Sequence, residues 1–135
     1  MSKSAIYTVN NSAQNVVVNG DINLGSIIRR FGPNLSMNGN AIQVSGPGYY
    51  DIETSITLAP TAAGNVTVTV FNDNIAIPGA TATETAASAN DLVNLSISAL
   101  LREPCQCCES LTNLTFVLTG TPASVTNIAT VVEKI

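Results

Sequence analysis

Three cysteines stand within four residues, in the stretch PCQCCES, at Cys105, Cys107 and Cys108, and they are all the cysteines of the chain. Thiolates ligate soft metals and form disulfides. A structural zinc centre needs four ligands, commonly two separated pairs. This chain has no second pair and no histidine, so a mononuclear site within one chain is a ligand short. An intrachain bridge inside so short a loop would be strained. Two readings stay open. The thiols remain reduced at the tip of a hairpin, as in a cytoplasm. Alternatively, loops from several copies meet and form interchain disulfides or a shared metal site.

The other groups that could do chemistry are carboxylates. In GPGYYDIETSITL (46–58), Asp51 and Glu53 share one parity of an alternating run. That parity faces solvent or a polar neighbour, and a solvated strand face is the simpler reading. The commonest general base is absent with histidine, so no serine or cysteine nucleophile has an activating partner. No glycine-rich phosphate loop leads a strand into a helix. The chain is expected not to be an enzyme and to need no cofactor.

Only 10% of the 135 residues are charged, for a net charge of −4, while 45% are hydrophobic. Polarity is carried by 15 Thr, 15 Asn and 12 Ser. Threonine suits strands and asparagine suits turns. A polar but weakly charged surface suits contact with copies of itself, because few charges need desolvating. Five basic residues cannot neutralise a nucleic-acid backbone. No apolar run approaches the ~20 residues of a membrane helix. The beginning, MSKSAIYTVNN, has no apolar h-region, so synthesis in a cytoplasm is expected. Five N-x-Ser/Thr sites, at Asn10, Asn34, Asn65, Asn94 and Asn113, mean little without a secretory signal.

The elements that must position these groups all read as strands. AIYTV (5–9), NVVV (15–18), GSIIRRFG (25–32) and AIQVS (41–45) are short and β-rich. In 50–58 the even residues Ile52, Ile56 and Leu58 point inward. NVTVTVFNDN (65–74) buries Val66, Val68 and Val70, then turns at Asp73-Asn74. DLVNLSISALL (91–101) and LTNLTFVLTG (111–120) alternate likewise, and SVTNIATVVEKI (124–135) is apolar on both faces, as a central strand is. TATETAASAN (81–90) has no apolar stripe and reads as a loop or a polar edge strand. Many short strands with turns at about ten-residue intervals predict a sandwich or barrel.

Three stretches, in order and spacing, carry a family likeness. They are FGPNLSMNGNAIQVSGPGYYDIETSITL, NVTVTVFNDNIAIPGA and SVTNIATVVEKI. Together they resemble the jelly-roll head shared by tumour necrosis factor and complement-type globular domains, most nearly its bacterial and phage forms, such as the trimeric head of collagen-like spore-surface glycoproteins. The likeness covers roughly residues 20 to 135. It implies an all-β jelly-roll sandwich of about ten antiparallel strands that assembles as a trimer, with residues 1–20 an N-terminal arm or edge strand and 21–135 the jelly roll. It also implies that Tyr50, and secondly Phe116, lie near the subunit contact. The alternative for Tyr50 is a core tyrosine with its hydroxyl satisfied locally.

Such a trimer suits a bacteriophage virion: a capsid decoration or head-fibre head, made in the host bacterial cytoplasm and attached to the major capsid protein or another virion protein. The alternatives are a cell- or spore-surface head, against which stands the absence of a Gly-X-Y stalk, and a carbohydrate- or receptor-binding module touching host-surface glycans. Neither nucleic acid nor membrane is an expected partner.

Overall fold

A computed structural model describes residues 3–104 and 111–135. Eleven strands follow one another: β1 Ala5–Asn10, β2 Gln14–Val16, β3 Ser26–Phe31, β4 Leu35–Asn38, β5 Ala41–Ser45, β6 Gly48–Pro60, β7 Gly64–Asn72, β8 Ile75–Ala86, β9 Val93–Glu103, β10 Leu111–Thr119 and β11 Ala123–Lys134. The described residues contain no helix. One sheet runs β3-β1-β11-β6-β9, with β2 also pairing β11, and the other runs β4-β5-β10-β7-β8. Both are antiparallel and stack face to face.

Side-chain alternation builds this sandwich. Along β6 the buried residues are Tyr50, Ile52, Thr54, Ile56, Leu58 and Pro60. Along β7, Val66, Val68 and Val70 are fully buried, and β10 gives Leu114, Phe116 and Leu118. The two-residue period of a strand puts all of these on one face. Burying each such side chain contributes ~1.5–3 kcal/mol before entropy is subtracted. The turn between β7 and β8 holds Asp73 at φ 49° and Asn74 at φ 69°, the left-handed pair that a two-residue hairpin favours. TATETAASAN enters β8, which is a polar edge strand. β11 lies between β1 and β6, so it is interior, as its double apolar face requires.

At the beginning of the chain, β1 lies between β3 and β11, inside the sheet, and β2 pairs β11 off the main strand path. Ile6 and Thr8 are buried. The strand expected over 15–18 stops at Val16, leaving Val17 69% and Val18 39% exposed. The chain then crosses beside β10: the Asn19 amide donates to the Leu118 carbonyl at 2.7 Å and the Ile22 amide to the Phe116 carbonyl at 2.8 Å. This crossing inserts Ile22 and Leu24 into the core, a placement that the short segment DINLG did not announce.

The interior also holds hydroxyls. Thr8, Thr54 and Thr130 are buried on neighbouring strands β1, β6 and β11. The Thr54 hydroxyl reaches the Ala129 carbonyl at 3.1 Å and the Thr130 hydroxyl at 3.0 Å. Among the described residues, the Thr8 hydroxyl has no partner.

Candidate functional site

Tyr50 and Phe116 are both completely buried within one chain. Tyr50 points into the end of the sandwich, and its hydroxyl donates to the Gly46 carbonyl at 3.0 Å and the Ser45 carbonyl at 3.3 Å. Those carbonyls are the last of β5 and the first of the glycine-proline-glycine turn that leads into β6. Burial, and then the nearby Glu103 carboxylate, hold its pKa above the ordinary 10.0. Its neighbour Tyr49 points the other way and is 49% exposed. The adjacent tyrosines thus divide the work: one anchors the turn, the other is surface.

Cys105, Cys107 and Cys108 lie outside the described residues. The strand leading to them ends on a buried carboxylate that the sequence reading missed. Glu103 is 7% exposed, and it accepts from the Asn72 amide at 2.8 Å and the Thr112 hydroxyl at 3.3 Å. Its parity, two residues beyond Leu101 on the inward side of β9, was the available signal. Among the described residues, no group of three His, Cys, Asp or Glu is placed to hold a metal ion. Among the described residues, no helix is long and apolar enough to cross a membrane.

The outer face of the six-stranded sheet is the broad surface that the sandwich offers to a partner. The strand registers write that face in rows. One row runs Phe31, Ala5, Glu133, Asp51, Leu100, and the next Arg29, Tyr7, Val131, Glu53, Ser98. Asp51 and Glu53 share this outward face, as the alternation predicted, and Glu133 stands directly opposite Asp51. Like charges so placed repel. A groove of about 390 Å³ crosses the second row, lined among others by Tyr7, Glu53, Ser55, Ser96, Ser98 and Val131. It contains a carboxylate and several hydroxyls, groups that hydrogen-bond a polar ligand.

A second groove, of about 250 Å³, opens where the edges of the two sheets meet, between β8 and β9. Asn72, Ile75, Ile77, Pro78, Leu100 and Arg102 line it. Ile75 is 72% and Leu100 55% exposed there.

No family model matches the chain, and no curated protein matches its sequence. Solved structures do match, end to end. Murine APRIL superposes with a TM-score of 0.72 at 11% identity, covering 98% of this chain and 99% of that one. The globular domain of the zebrafish complement 1qA protein gives 0.69 at 8% identity, covering 97% and 95%. PRD1 vertex protein P5 gives 0.57 at 15% identity, covering 98% and 96%. At such identities the likeness is one of architecture. The chain has the all-β jelly-roll fold of tumour-necrosis-factor and complement-type heads, in two antiparallel sheets.

Proposed function

We propose that this chain is a non-enzymatic structural head of a bacteriophage virion, a homotrimer that decorates or stabilises the capsid or tips a head fibre. The observation that carries the reading is the match over 98% of the chain to a vertex protein, PRD1 P5. The outer face of the six-stranded sheet supports it. That face is broad, and it exposes Tyr49, Leu100 and Val131 beside the charges of Asp51, Glu53 and Glu133. Sister copies would bury those apolar side chains together. The partner on the particle is the major capsid protein or another virion protein, and assembly follows synthesis in the host cytoplasm. The test is mass spectrometry of density-purified virions from lysates of the source, with sedimentation equilibrium of the purified chain. Stoichiometric peptides in the particle and a three-chain mass are expected. A monomer absent from particles would overturn the reading, and recovery from spore or cell-surface extracts would assign the head to those surfaces instead.

The groove beside Tyr7 favours a second reading. An aromatic ring next to Glu53 and three serines is the combination that stacks and hydrogen-bonds a sugar. Binding of a host-surface glycan on an array, abolished by Tyr7→Ala, would support it. An array without signal would remove it.

A further inference from the structure

Asparagine is followed by glycine at two places in the chain, Asn19-Gly20 and Asn38-Gly39. The pair is chemically distinctive. A following glycine has no Cβ, so its amide nitrogen can approach the side-chain carbonyl carbon of the asparagine, which a bulkier residue would shield. The fold holds the two pairs very differently.

Asn19-Gly20 lies in the crossing beside β10 and is pinned on both sides. The Asn19 amide donates to the Leu118 carbonyl at 2.7 Å, and the Gly20 carbonyl accepts from the Leu118 amide at 3.1 Å. The Gly20 amide itself donates to the Val17 carbonyl at 2.9 Å. This nitrogen is engaged, and its peptide plane cannot turn without breaking bonds to β10. Asn38-Gly39 is the open case. Asn38 ends β4 and pairs with Ala41, the first residue of β5, which leaves Gly39 and Asn40 as a two-residue turn. Gly39 has φ 62°, as the first central residue of a type II′ hairpin turn does. Asn38, Gly39 and Asn40 are all exposed. Among the described residues the Gly39 amide donates to no carbonyl, and an added Cβ there would meet nothing within 4 Å. β4 is also the edge of its sheet, so β5 alone pairs with the arm that carries Asn38.

We propose that Asn38 is a site of spontaneous deamidation, and that hydrogen bonding to β10 spares Asn19. The Gly39 amide nitrogen gives its proton to a solvent base and attacks the Asn38 Cγ. The N–Cγ bond forms, the Cγ–Nδ2 bond breaks, and ammonia leaves with a proton taken from water. Water then opens the five-membered succinimide. Cleavage of the N–Cγ bond leaves an aspartyl residue. Cleavage of the bond from the same nitrogen to the main-chain carbonyl carbon leaves an isoaspartyl residue, whose backbone runs through the former side chain. Nothing is oxidised or reduced, and water is the one co-reactant. Either product makes the net charge of −4 one unit more negative. The fully buried residue of β4, Leu35, stands at the other end of the strand, so the modified chain keeps its core and differs in charge at the hairpin tip.

The experiment incubates the full chain at mildly alkaline pH, folded and in urea, and follows both asparagines by peptide mass spectrometry. Conversion raises a peptide's mass by the difference between an acid and an amide. An isoaspartyl methyltransferase with labelled S-adenosylmethionine counts the isoaspartyl product. In the folded chain Asn38 is expected to convert roughly tenfold or more faster than Asn19, because the Asn19 turn must first open locally. In urea the two rates converge. Asn38→Ala, at an exposed position, leaves circular dichroism unchanged and removes the label from the folded chain. Equal rates in the folded chain, no conversion at Asn38, or a label that survives Asn38→Ala overturns the assignment. Rates as far apart in urea as in the folded chain overturn the protection of Asn19 by the fold.

Discussion

The phenolic hydroxyl of Tyr50 donates to the carbonyl of Gly46 at 3.0 Å, with the Ser45 carbonyl at 3.3 Å. A residue at the third position of one strand thereby ties down the turn that precedes it. Tyr50→Phe keeps the ring and removes the donor. A loss of about 0.5–1.5 kcal/mol in urea unfolding is expected, because the Gly46 carbonyl loses this donor while the Ser45 carbonyl keeps the Asn34 amide at 2.6 Å. Tyr50→Ala also opens a cavity and should cost roughly 3–5 kcal/mol. A Phe variant as stable as wild type would show that the bond contributes nothing.

The same hydroxyl predicts an alkaline limit. Burial, followed by Glu103, raises the Tyr50 pKa above 10.0, so the native state holds the proton more tightly than the unfolded chain. The stability this contributes is fully present below the unfolded pKa and is lost as pH rises from about 10 through the higher native value. Denaturation followed from neutral to strongly alkaline pH should show that decline, and Tyr50→Phe should lack this part of it.

The core threonines make a prediction of opposite sign. Thr8 buries a hydroxyl that is unpartnered among the described residues. Thr8→Val replaces it by a methyl of similar volume and should stabilise the fold by about 1–2 kcal/mol. Thr130→Val instead takes a partner from Thr54, which keeps its bond to Ala129. That variant should lose about 0.5–1.5 kcal/mol, and the melting temperatures of the two variants should move in opposite directions.

Gly32 closes β3 at φ 83°, where a Cβ would stand 2.2 Å from the Lys3 carbonyl oxygen. An L-residue there is strained both by its backbone angle and by the clash. Gly32→Ala should destabilise by at least ~1–3 kcal/mol. Gly39, at φ 62° with open space around the added carbon, bears only the backbone part, so Gly39→Ala should cost less in the same assay.

For Cys105, Cys107 and Cys108 the expected outcome is that of thiols kept in a reducing compartment. The purified chain should run as a single-chain band on a non-reducing gel and should bind no stoichiometric metal by elemental analysis. A ladder of two- and three-chain bands that collapses with reductant would assign them to a staple between copies.

Much of this architecture was legible in the residues themselves. The alternation of Ile52, Ile56 and Leu58, of Val66, Val68 and Val70, and of Leu114, Phe116 and Leu118 announced which faces are buried, because a strand has a period of two and water sorts its two sides. Asp73-Asn74 announced a hairpin, because those side chains tolerate positive φ. The outward placement of Asp51 and Glu53 followed from the same parity. Relations between distant segments had no local signature. Nothing in AIYTV says that β1 is flanked by β3 and β11, and nothing in DINLG says that Ile22 and Leu24 are core. Tyr50 shows the limit: parity turned it inward, but only the return of residues 45 and 46 over its ring makes it a turn anchor. The β3 edge with its arginines and the β8–β9 groove are likewise invisible along the chain. Strand order places Arg29 and Leu100 on opposite sides of one molecule, and hydrogen-bonded pairing across long sequence separations sets that order.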